Sequence, residues 1–126
     1  MRFKKRVYAK YQVLAQHKIL VIDDDKDVCQ MIKDHLEFHD IEMDCCSSLT
    51  GALHKLQMYE YKYIVVDGFI GHENGLEIAK KIKEKYPDSK LVFYSGSDTS
   101  IDIDYSIFEK VFRKTDVEGL ISFLNR

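Results

Sequence analysis

The chain has 126 residues, of which 45% are hydrophobic and 32% are charged, and its formal net charge is −2. This length predicts a single domain, and the composition is typical of soluble globular proteins. No apolar run approaches the roughly 20 residues that span a bilayer, and the basic N-terminus lacks the apolar segment of a secretory signal. We therefore predict neither a membrane span nor a secretory leader.

Charge is distributed unevenly along the chain. Residues 1–18 carry six basic side chains and no acidic one, so the other 13 basic and 21 acidic residues give residues 19–126 a net charge of −8. A mildly acidic body does not favour nucleic acid, and we predict no nucleic-acid binding. Residues 1–17 are predicted to form a basic N-terminal extension. Its apolar residues recur at helical spacing: Phe3, Val7, Tyr11 and Leu14. An amphipathic helix and a loose terminus are both compatible with this extension.

The three cysteines are odd in number, and two of them, Cys45 and Cys46, are adjacent. The pattern formed by Cys29, Cys45 and Cys46 therefore does not suggest a disulfide framework. This pattern favours a reducing compartment and therefore a cytoplasmic location.

The elements are predicted to alternate between strand and helix. Residues 18–23 form a buried strand, because their apolar run has no polar alternation. An amphipathic helix with an aspartate-rich first turn follows. Ile41, Met43 and Cys45 then alternate with polar residues in a shorter strand, and Ser47 or Ser48 caps a second helix.

The second half repeats this alternation. Residues 63–67, 90–94 and 109–113 are predicted as the third, fourth and fifth strands, and residues 76–85 and 117–124 as helices. Five strands that alternate with helices predict an α/β fold with a parallel sheet covered by helices on both faces.

Polar side chains follow four of the predicted strands, at the point where each strand ends. Asp23 and Asp24 follow the first strand, Asp67 ends the third, Ser95 ends the fourth and Lys114 ends the fifth. Ligands of parallel sheets bind outside the carboxyl ends of the strands, so these groups are expected to form one site.

This set of side chains indicates phosphoryl chemistry supported by a divalent cation. An all-oxygen ligand set with few carboxylates suits Mg²⁺. A carboxylate beside a cation and a lysine can attack phosphorus as a nucleophile, and the two positive charges stabilise the transferring group. The chain has no glycine-rich phosphate loop, so the phosphoryl donor is not expected to be a bound nucleotide such as ATP.

Over residues 18–126 the pattern resembles the receiver domain of bacterial two-component response regulators. The motif residues of that family are matched in chain order by the acidic pair Asp23 and Asp24, the phosphoacceptor Asp67, the pair Asn74 and Gly75, Ser95 and Lys114. The resemblance implies a flavodoxin-like, doubly wound, five-stranded parallel sheet with strand order 2-1-3-4-5.

The resemblance also implies roles for individual residues. Mg²⁺ or Mn²⁺ would be held by Asp23, Asp24, Asp67 and the backbone carbonyl of Phe69. Phosphate would contact Ser95, Lys114, Gly68 and Gly96. Phe69 and Ser97 would tune the rate of dephosphorylation.

Several positions depart from the family pattern. Gly71 stands where the family usually has proline, and Thr115 stands where a cis proline usually follows the lysine. Because a non-proline cis bond costs roughly 2.5–4 kcal/mol, we expect a trans peptide after Lys114. The aromatic switch residue is replaced by Val111, and Phe112 is expected to face the other side of its strand.

Three functions remain open from the sequence. The first is a phosphoacceptor that is not a turnover enzyme: a histidine kinase or phosphotransfer protein phosphorylates Asp67, and the signal passes to an unknown downstream protein by protein–protein contact, with or without a homodimer. The second is a pseudo-receiver that keeps the fold as an interaction module and is not switched by phosphorylation. The third is a haloacid-dehalogenase-like phosphatase with Asp23 as nucleophile and Asp25 as acid, which leaves the loop after Asp67 unexplained.

Overall fold

The computed structural model describes residues 18–96 and 104–126. The elements are β1 (Ile19–Ile22), α1 (Lys26–Phe38), β2 (Met43–Cys46), α2 (Leu49–Met58), β3 (Tyr63–Val66), β4 (Phe69–Ile70), β5 (Glu73–Asn74), α3 (Gly75–Lys85), β6 (Leu91–Ser95), β7 (Phe108–Arg113) and α4 (Val117–Leu124). Helices and strands alternate from β1 to β3, as expected, and an unpredicted pair of short strands follows β3.

Five of the strands form one parallel sheet in the order β2-β1-β3-β6-β7. Counted along the chain, this order is 2-1-3-4-5, so the predicted flavodoxin-like, doubly wound sheet is confirmed. Ile22 pairs with Cys46 on one side and with Val66 on the other. The carboxyl ends of the three strands therefore lie at the same edge of the sheet, and the loops that follow them are neighbours.

Side chains that alternate along β1 enter two core layers. Ile19 and Val21 belong to the layer that includes α1 and α4, whereas Leu20 and Ile22 belong to the layer that includes α2 and α3. All four are at most 1% exposed, which explains why the strand reads as a continuous apolar run. Burial of each such side chain contributes about 1.5–3 kcal/mol before the entropy of folding is subtracted. Among the described residues, no helix is long and apolar enough to cross a membrane.

The loop after β3 holds an element that the sequence pattern did not predict. Phe69 pairs with Asn74 and Ile70 pairs with Glu73, so β4 and β5 form a short antiparallel hairpin directly before α3. Two residues per strand are too few to show a period in the sequence. The predicted extension of residues 1–17 lies outside the described residues.

The cysteine pattern suggested no disulfide framework, but the structure contains one disulfide. Cys29 of α1 and Cys45 of β2 are disulfide-bonded, with their Cα atoms 6.5 Å apart, whereas Cys46 is a free thiol. The parallel crossover from β1 through α1 to β2 lays the helix against the neighbouring strand and brings together two residues that are 16 positions apart. A count of cysteines carries no information about such a contact.

Candidate functional site

Three carboxylates converge at the carboxyl edge of the sheet. Asp23 and Asp24 follow β1 and Asp67 follows β3, and one oxygen from each lies within 4.8 Å of the other two. Asp23 is only 4% exposed, Asp67 is half-buried and Asp24 faces solvent. The edge is fixed by backbone pairing, since the amide of Asp67 donates to the carbonyl of Ile22 at 3.0 Å. The structure therefore brings together the three acids that the sequence placed at strand ends.

The turn from β1 into α1 gives the consecutive aspartates different tasks. The Asp23 carboxylate accepts the amide of Asp25 at 2.9 Å. Asp25 is the N-cap of α1, and its carboxylate accepts the amides of Asp27 at 2.9 Å and Val28 at 3.3 Å. Asp25 is thus engaged by the helix end, and this geometry favours neither a metal-ligand role nor the acid role that a phosphatase would require.

Lys114 supplies a positive charge to the acidic cluster. Its Nζ lies 2.9 Å from Asp23 Oδ2 and 3.2 Å from Asp67 Oδ1. Its backbone is held against β6, because the amide of Lys114 donates to the carbonyl of Ser95 at 3.0 Å and the Tyr94 hydroxyl donates to the carbonyl of Lys114 at 3.1 Å. The lysine is therefore positioned by main-chain bonds as well as by its two ion pairs.

The peptide after Lys114 is trans, as expected, since the described residues contain no cis peptide bond. Thr115 stands where the family usually has proline, and Asp116 after it is the N-cap of α4. The lysine reaches the two carboxylates with this trans backbone, so the absence of proline does not remove it from the site.

Two glycines border the space between the acids and the lysine. A Cβ on Gly68 would lie 2.5 Å from Ser95 Oγ, so the buried serine hydroxyl lies directly against the glycine backbone. The amide of Gly68 donates to Asp67 Oδ1 at 2.8 Å. Gly96 lies beside Lys114, since a Cβ there would be 3.9 Å from the lysine Cδ. Gly68 and Lys114 therefore contact the Asp67 carboxylate directly, whereas Ser95 lies against Gly68 and Gly96 lies beside Lys114; contact of these four residues with phosphate stays a prediction.

Gly71 connects the hairpin loop to the acidic cluster, a contact that the sequence reading missed. Its amide donates to Asp24 Oδ2 at 2.9 Å, and its φ angle is +62°. Proline, the usual residue here in the family, has no N–H and cannot adopt a positive φ. The departure at Gly71 therefore adds a donor that orients Asp24, and the glycine itself was the sequence signal for it.

Phe69, the remaining predicted ligand, lies at the rim of this site. It is the first residue of β4, directly after Gly68, and it is 64% exposed. Ser97, the other residue predicted to tune dephosphorylation, lies outside the described residues.

The electrostatic balance of the site is unfavourable for an ionised Asp67. Burial raises the pKa of the Asp67 carboxyl, the negative charge of Asp23 raises it further, and Lys114 offsets part of this rise. Burial lowers the pKa of the Lys114 ammonium, but its hydrogen bond and attraction to Asp23, with a smaller contribution from Asp67, raise that pKa overall. Lys114 is thus paired with both carboxylates, but it does not cancel the effects of burial and of Asp23 on the pKa of Asp67.

We expect Asp67→Asn to stabilise the metal-free protein at neutral pH by roughly 1 kcal/mol, which raises Tm by a few degrees. A pKa raised in the folded state makes ionisation oppose folding, and this penalty builds up as pH rises from the ordinary pKa to the raised one. The gain should therefore vanish below the ordinary aspartate pKa of 3.8, where both states are protonated. Thermal unfolding across this pH range measures the effect, with the exposed Glu84→Gln as a control for charge loss. An unchanged or lower Tm at neutral pH would contradict the repulsion.

The switch position differs from the family pattern as the sequence indicated. Phe112 is buried in the core layer of α1 and α4, where its ring lies 5.8 Å from that of Phe123. Val111 faces the other layer. A ring cluster occupies that layer: Phe93 lies 5.0 Å from Phe108 and 5.5 Å from Tyr105. No aromatic side chain therefore stands at the switch position itself.

The residues present fit a small divalent cation. The donors are hard carboxylate oxygens, three residues contribute them, and an exposed Asp24 leaves one side of the cluster open to water. Mg²⁺ prefers such oxygen ligands and retains several waters. Burial and the charge of Asp23 raise the pKa of Asp67 although Lys114 lies beside it, so a bound cation would favour the ionised form of this carboxyl.

Known proteins resemble this chain over most of its length. The family model of the response regulator receiver domain matches residues 19–111. Response regulator ArlR of Staphylococcus saprophyticus subsp. saprophyticus is 25% identical over 108 residues, which are 83% of this chain and 49% of that protein. The nisin biosynthesis regulatory protein NisR of Lactococcus lactis subsp. lactis is 28% identical over 87 residues, which are 69% of this chain and 38% of that protein. The chain thus spans at most about half the length of these curated relatives.

Solved structures share the fold. A two-component response regulator from Clostridium difficile has a TM-score of 0.76 at 26% identity, over 85% of this chain and 91% of that one. The receiver domain of the Francisella response regulator 1452 has a TM-score of 0.75 at 24% identity, over 86% and 93%. TrrA from Thermotoga maritima, solved in complex with Mg²⁺–BeF, has a TM-score of 0.74 at 22% identity, over 85% and 97%. With the match over residues 19–111, these findings show that the chain belongs to the response regulator receiver domain family.

Proposed function

We propose that this protein is a phosphoacceptor receiver in which Asp67 accepts a phosphoryl group with the help of Mg²⁺ or Mn²⁺. The observation that carries the proposal is the convergence of three carboxylates within 4.8 Å, together with Lys114 Nζ 3.2 Å from Asp67. Asp23, Asp24, Asp67 and the carbonyl of Phe69 would hold the ion. The metal, when bound, supplies positive charge to the transferring phosphoryl group.

In the proposed reaction, an oxygen of ionised Asp67 bonds to phosphorus while the bond from phosphorus to the donor's leaving atom breaks. The product is an aspartyl phosphate, and the leaving group departs with the bonding electron pair. Lys114 is close enough to move its Nζ from Asp67 to the new phosphoryl oxygens. The Ser95 hydroxyl, which lies against Gly68, and the amides of Gly68 and Gly96 would donate to the same oxygens.

The proposal extends to domains and partners. Residues 18–126 form the receiver domain, and residues 1–17 form an N-terminal extension. The donor is a histidine kinase or a histidine phosphotransfer protein in the cytoplasm, and the phosphorylated domain acts on a downstream protein by contact, as a homodimer or not. The domain assists its own phosphorylation and dephosphorylation and is not a turnover enzyme. Membership of the receiver family supports these assignments.

The pseudo-receiver remains the second candidate, and one observation favours it. Val111 occupies the switch position. The next residue, Phe112, is aromatic but packs in the opposite core layer. Such a domain could keep its fold and partners without responding to phosphate. A ligand shifts an equilibrium only by its differential affinity for two states, so a lost switch would show as binding without a conformational response.

Acetyl phosphate and Mg²⁺ separate these candidates. We expect intact mass to increase by one phosphoryl group on the wild-type chain and by none on Asp67→Asn or on protein treated with a chelator. Beryllofluoride should also change the NMR amide spectrum of the wild type beyond the residues of the site. No mass gain would overturn the phosphoacceptor, and a mass gain with spectral changes confined to the site would favour the second candidate.

We expect Phe69→Asn to accelerate loss of phosphate from Asp67 severalfold. The apolar ring of Phe69 stands at the rim of the site and gives an attacking water no hydrogen-bonding partner, whereas an amide would provide one. Decay of the phosphorylated mass after removal of acetyl phosphate measures the rate. Phe69→Leu, which keeps an apolar side chain, is the matched control. Equal or slower decay in Phe69→Asn would contradict the shielding argument.

A further inference from the structure

A disulfide lies beside the proposed phosphoacceptor site. Cys29 stands in the first turns of α1 and is 8% exposed, and Cys45 stands on the edge strand β2 and faces solvent. Their Cα atoms are 6.5 Å apart, within the range that a disulfide spans without backbone movement. The third thiol, Cys46, packs with the opposite core layer. The pair is therefore one defined sulfur site, and its solvent-facing member is open to small reagents.

The disulfide and the acidic cluster share one surface cavity. This cavity has a volume of about 430 Å³, and its lining includes Asp23 and Asp24 as well as Cys29 and Cys45. A reagent that enters the cavity to reach the sulfurs is therefore adjacent to two of the proposed metal ligands.

Hydrogen bonds connect the two bonded elements through the turn that carries the acids. From the helix side, the amide of Cys29 donates to the carbonyl of Asp25 at 3.1 Å, and the amide of Asp25 donates to the Asp23 carboxylate at 2.9 Å. From the strand side, the amide of Asp23 donates to the carbonyl of Cys46 at 3.0 Å. The turn is thus clamped between α1 and β2, the two elements that the disulfide joins.

We propose that Cys29 and Cys45 form a reversible redox-modification site whose oxidation strengthens cation binding at Asp23, Asp24 and Asp67. The oxidant is a low-molecular-weight disulfide such as oxidised glutathione. The Cys45 thiolate attacks one sulfur of it and releases one thiolate, and the Cys29 thiolate then attacks Cys45 Sγ and releases the second. Two protein thiols become one disulfide, the small disulfide is reduced to two thiols, and the protons of the protein thiols end on the released thiolates.

The coupling rests on the proposed metal site and has a physical cause. Three carboxylates share the positive charge of Lys114 and so retain a net repulsion when no metal ion is bound. The turn before α1 can relax outward only if the helix moves relative to β2. The disulfide prevents that relative movement and so holds the ligands in the converged geometry. Coupling free energies are reciprocal, so bound cation also favours the oxidised form by the same factor.

The test uses the full chain in glutathione redox buffers. Alkylation of the denatured protein followed by intact mass counts thiols: we expect one modified cysteine, Cys46, after oxidation and all three after reduction. Calorimetric titration should show that the oxidised form binds Mg²⁺ at least about fivefold more tightly. Saturating Mg²⁺ should shift the buffer ratio at half-oxidation by that same factor.

Four variants separate the possible outcomes. Cys29→Ser and Cys45→Ser should bind Mg²⁺ like the reduced protein in either buffer, and Cys46→Ser should behave like the wild type. Asp24→Ala should still oxidise but lose the shift caused by Mg²⁺. Three modified thiols in oxidising buffer, or equal Mg²⁺ affinity in both forms, would overturn the inference. Absence of Mg²⁺ binding in both forms would overturn the proposed metal site and the coupling, whereas a normal count of one modified thiol would still establish the disulfide.

Discussion

Asp24→Ala is expected to weaken Mg²⁺ binding by at least about tenfold, and Asp67→Ala by a similar factor or more. Loss of a hydrogen-bond partner behind a metal ligand costs about 10–100-fold in metal affinity, and loss of a direct ligand should cost no less. Both side chains contribute an oxygen to the cluster in which all three oxygens lie within 4.8 Å of one another. The chain contains no tryptophan, so isothermal titration calorimetry is the suitable measurement.

Two further variants show whether the loss is specific. Asp25→Ala removes a neighbouring negative charge that caps α1, and it should change Mg²⁺ affinity less than about twofold while costing about 1 kcal/mol of stability. Asp24→Asn keeps an acceptor for the amide of Gly71 but removes the charge, so it separates metal ligation from loop support. Equal loss of affinity in the Asp24 and Asp25 variants would show a diffuse charge effect and would contradict a defined site.

Gly75→Ala is expected to lower the free energy of unfolding by about 2–4 kcal/mol and to impair phosphorylation of Asp67. A Cβ at this position would lie 1.8 Å from the carbonyl oxygen and 2.8 Å from the carbonyl carbon of Asp67. The obstacle is backbone rather than a flexible side chain, so it is relieved only if α3 or the strand end moves. The amide of Gly75 also donates to the carbonyl of Gly68 at 2.8 Å, which ties the helix start to the same segment.

Other glycines provide graded controls for this prediction. Gly96→Ala should be nearly neutral for stability, because its Cβ would meet the Lys114 side chain only at 3.9 Å. A Cβ on Gly71 would meet no atom within 4 Å, but the φ angle there is +62°, so Gly71→Ala should lower the free energy of unfolding by about 1 kcal/mol. Urea unfolding of the three variants measures their free energies of unfolding and so gives their order of stability. A Gly75→Ala protein as stable as Gly96→Ala would show that the contact with Asp67 is loose.

Element order and the members of the site were readable from the sequence for a specific reason. Strands buried on both faces are continuous apolar runs, and the polar residue that ends each run marks the carboxyl edge of the sheet. Asp23, Asp67, Ser95 and Lys114 could therefore be assigned to one edge before any distance was known. Ser47 or Ser48 was likewise predicted to cap the second helix, and the structure shows that Ser48 does so, because its side chain accepts the amide of Gly51 at 3.0 Å.

The tertiary structure alone decided the features that join residues distant in the chain. The bond between Cys29 and Cys45 and the hydrogen bond from Gly71 to Asp24 span 16 and 47 positions, respectively. Sequence periodicity indicates which face of an element is apolar, but it does not indicate how far apart two elements lie. The sequence by itself thus determined the fold class and the residues at the sheet edge, because local burial patterns encode both. The packing of α1 on β2 and of the hairpin loop on Asp24 was decided only by the tertiary structure, because those contacts depend on how whole elements pack against one another.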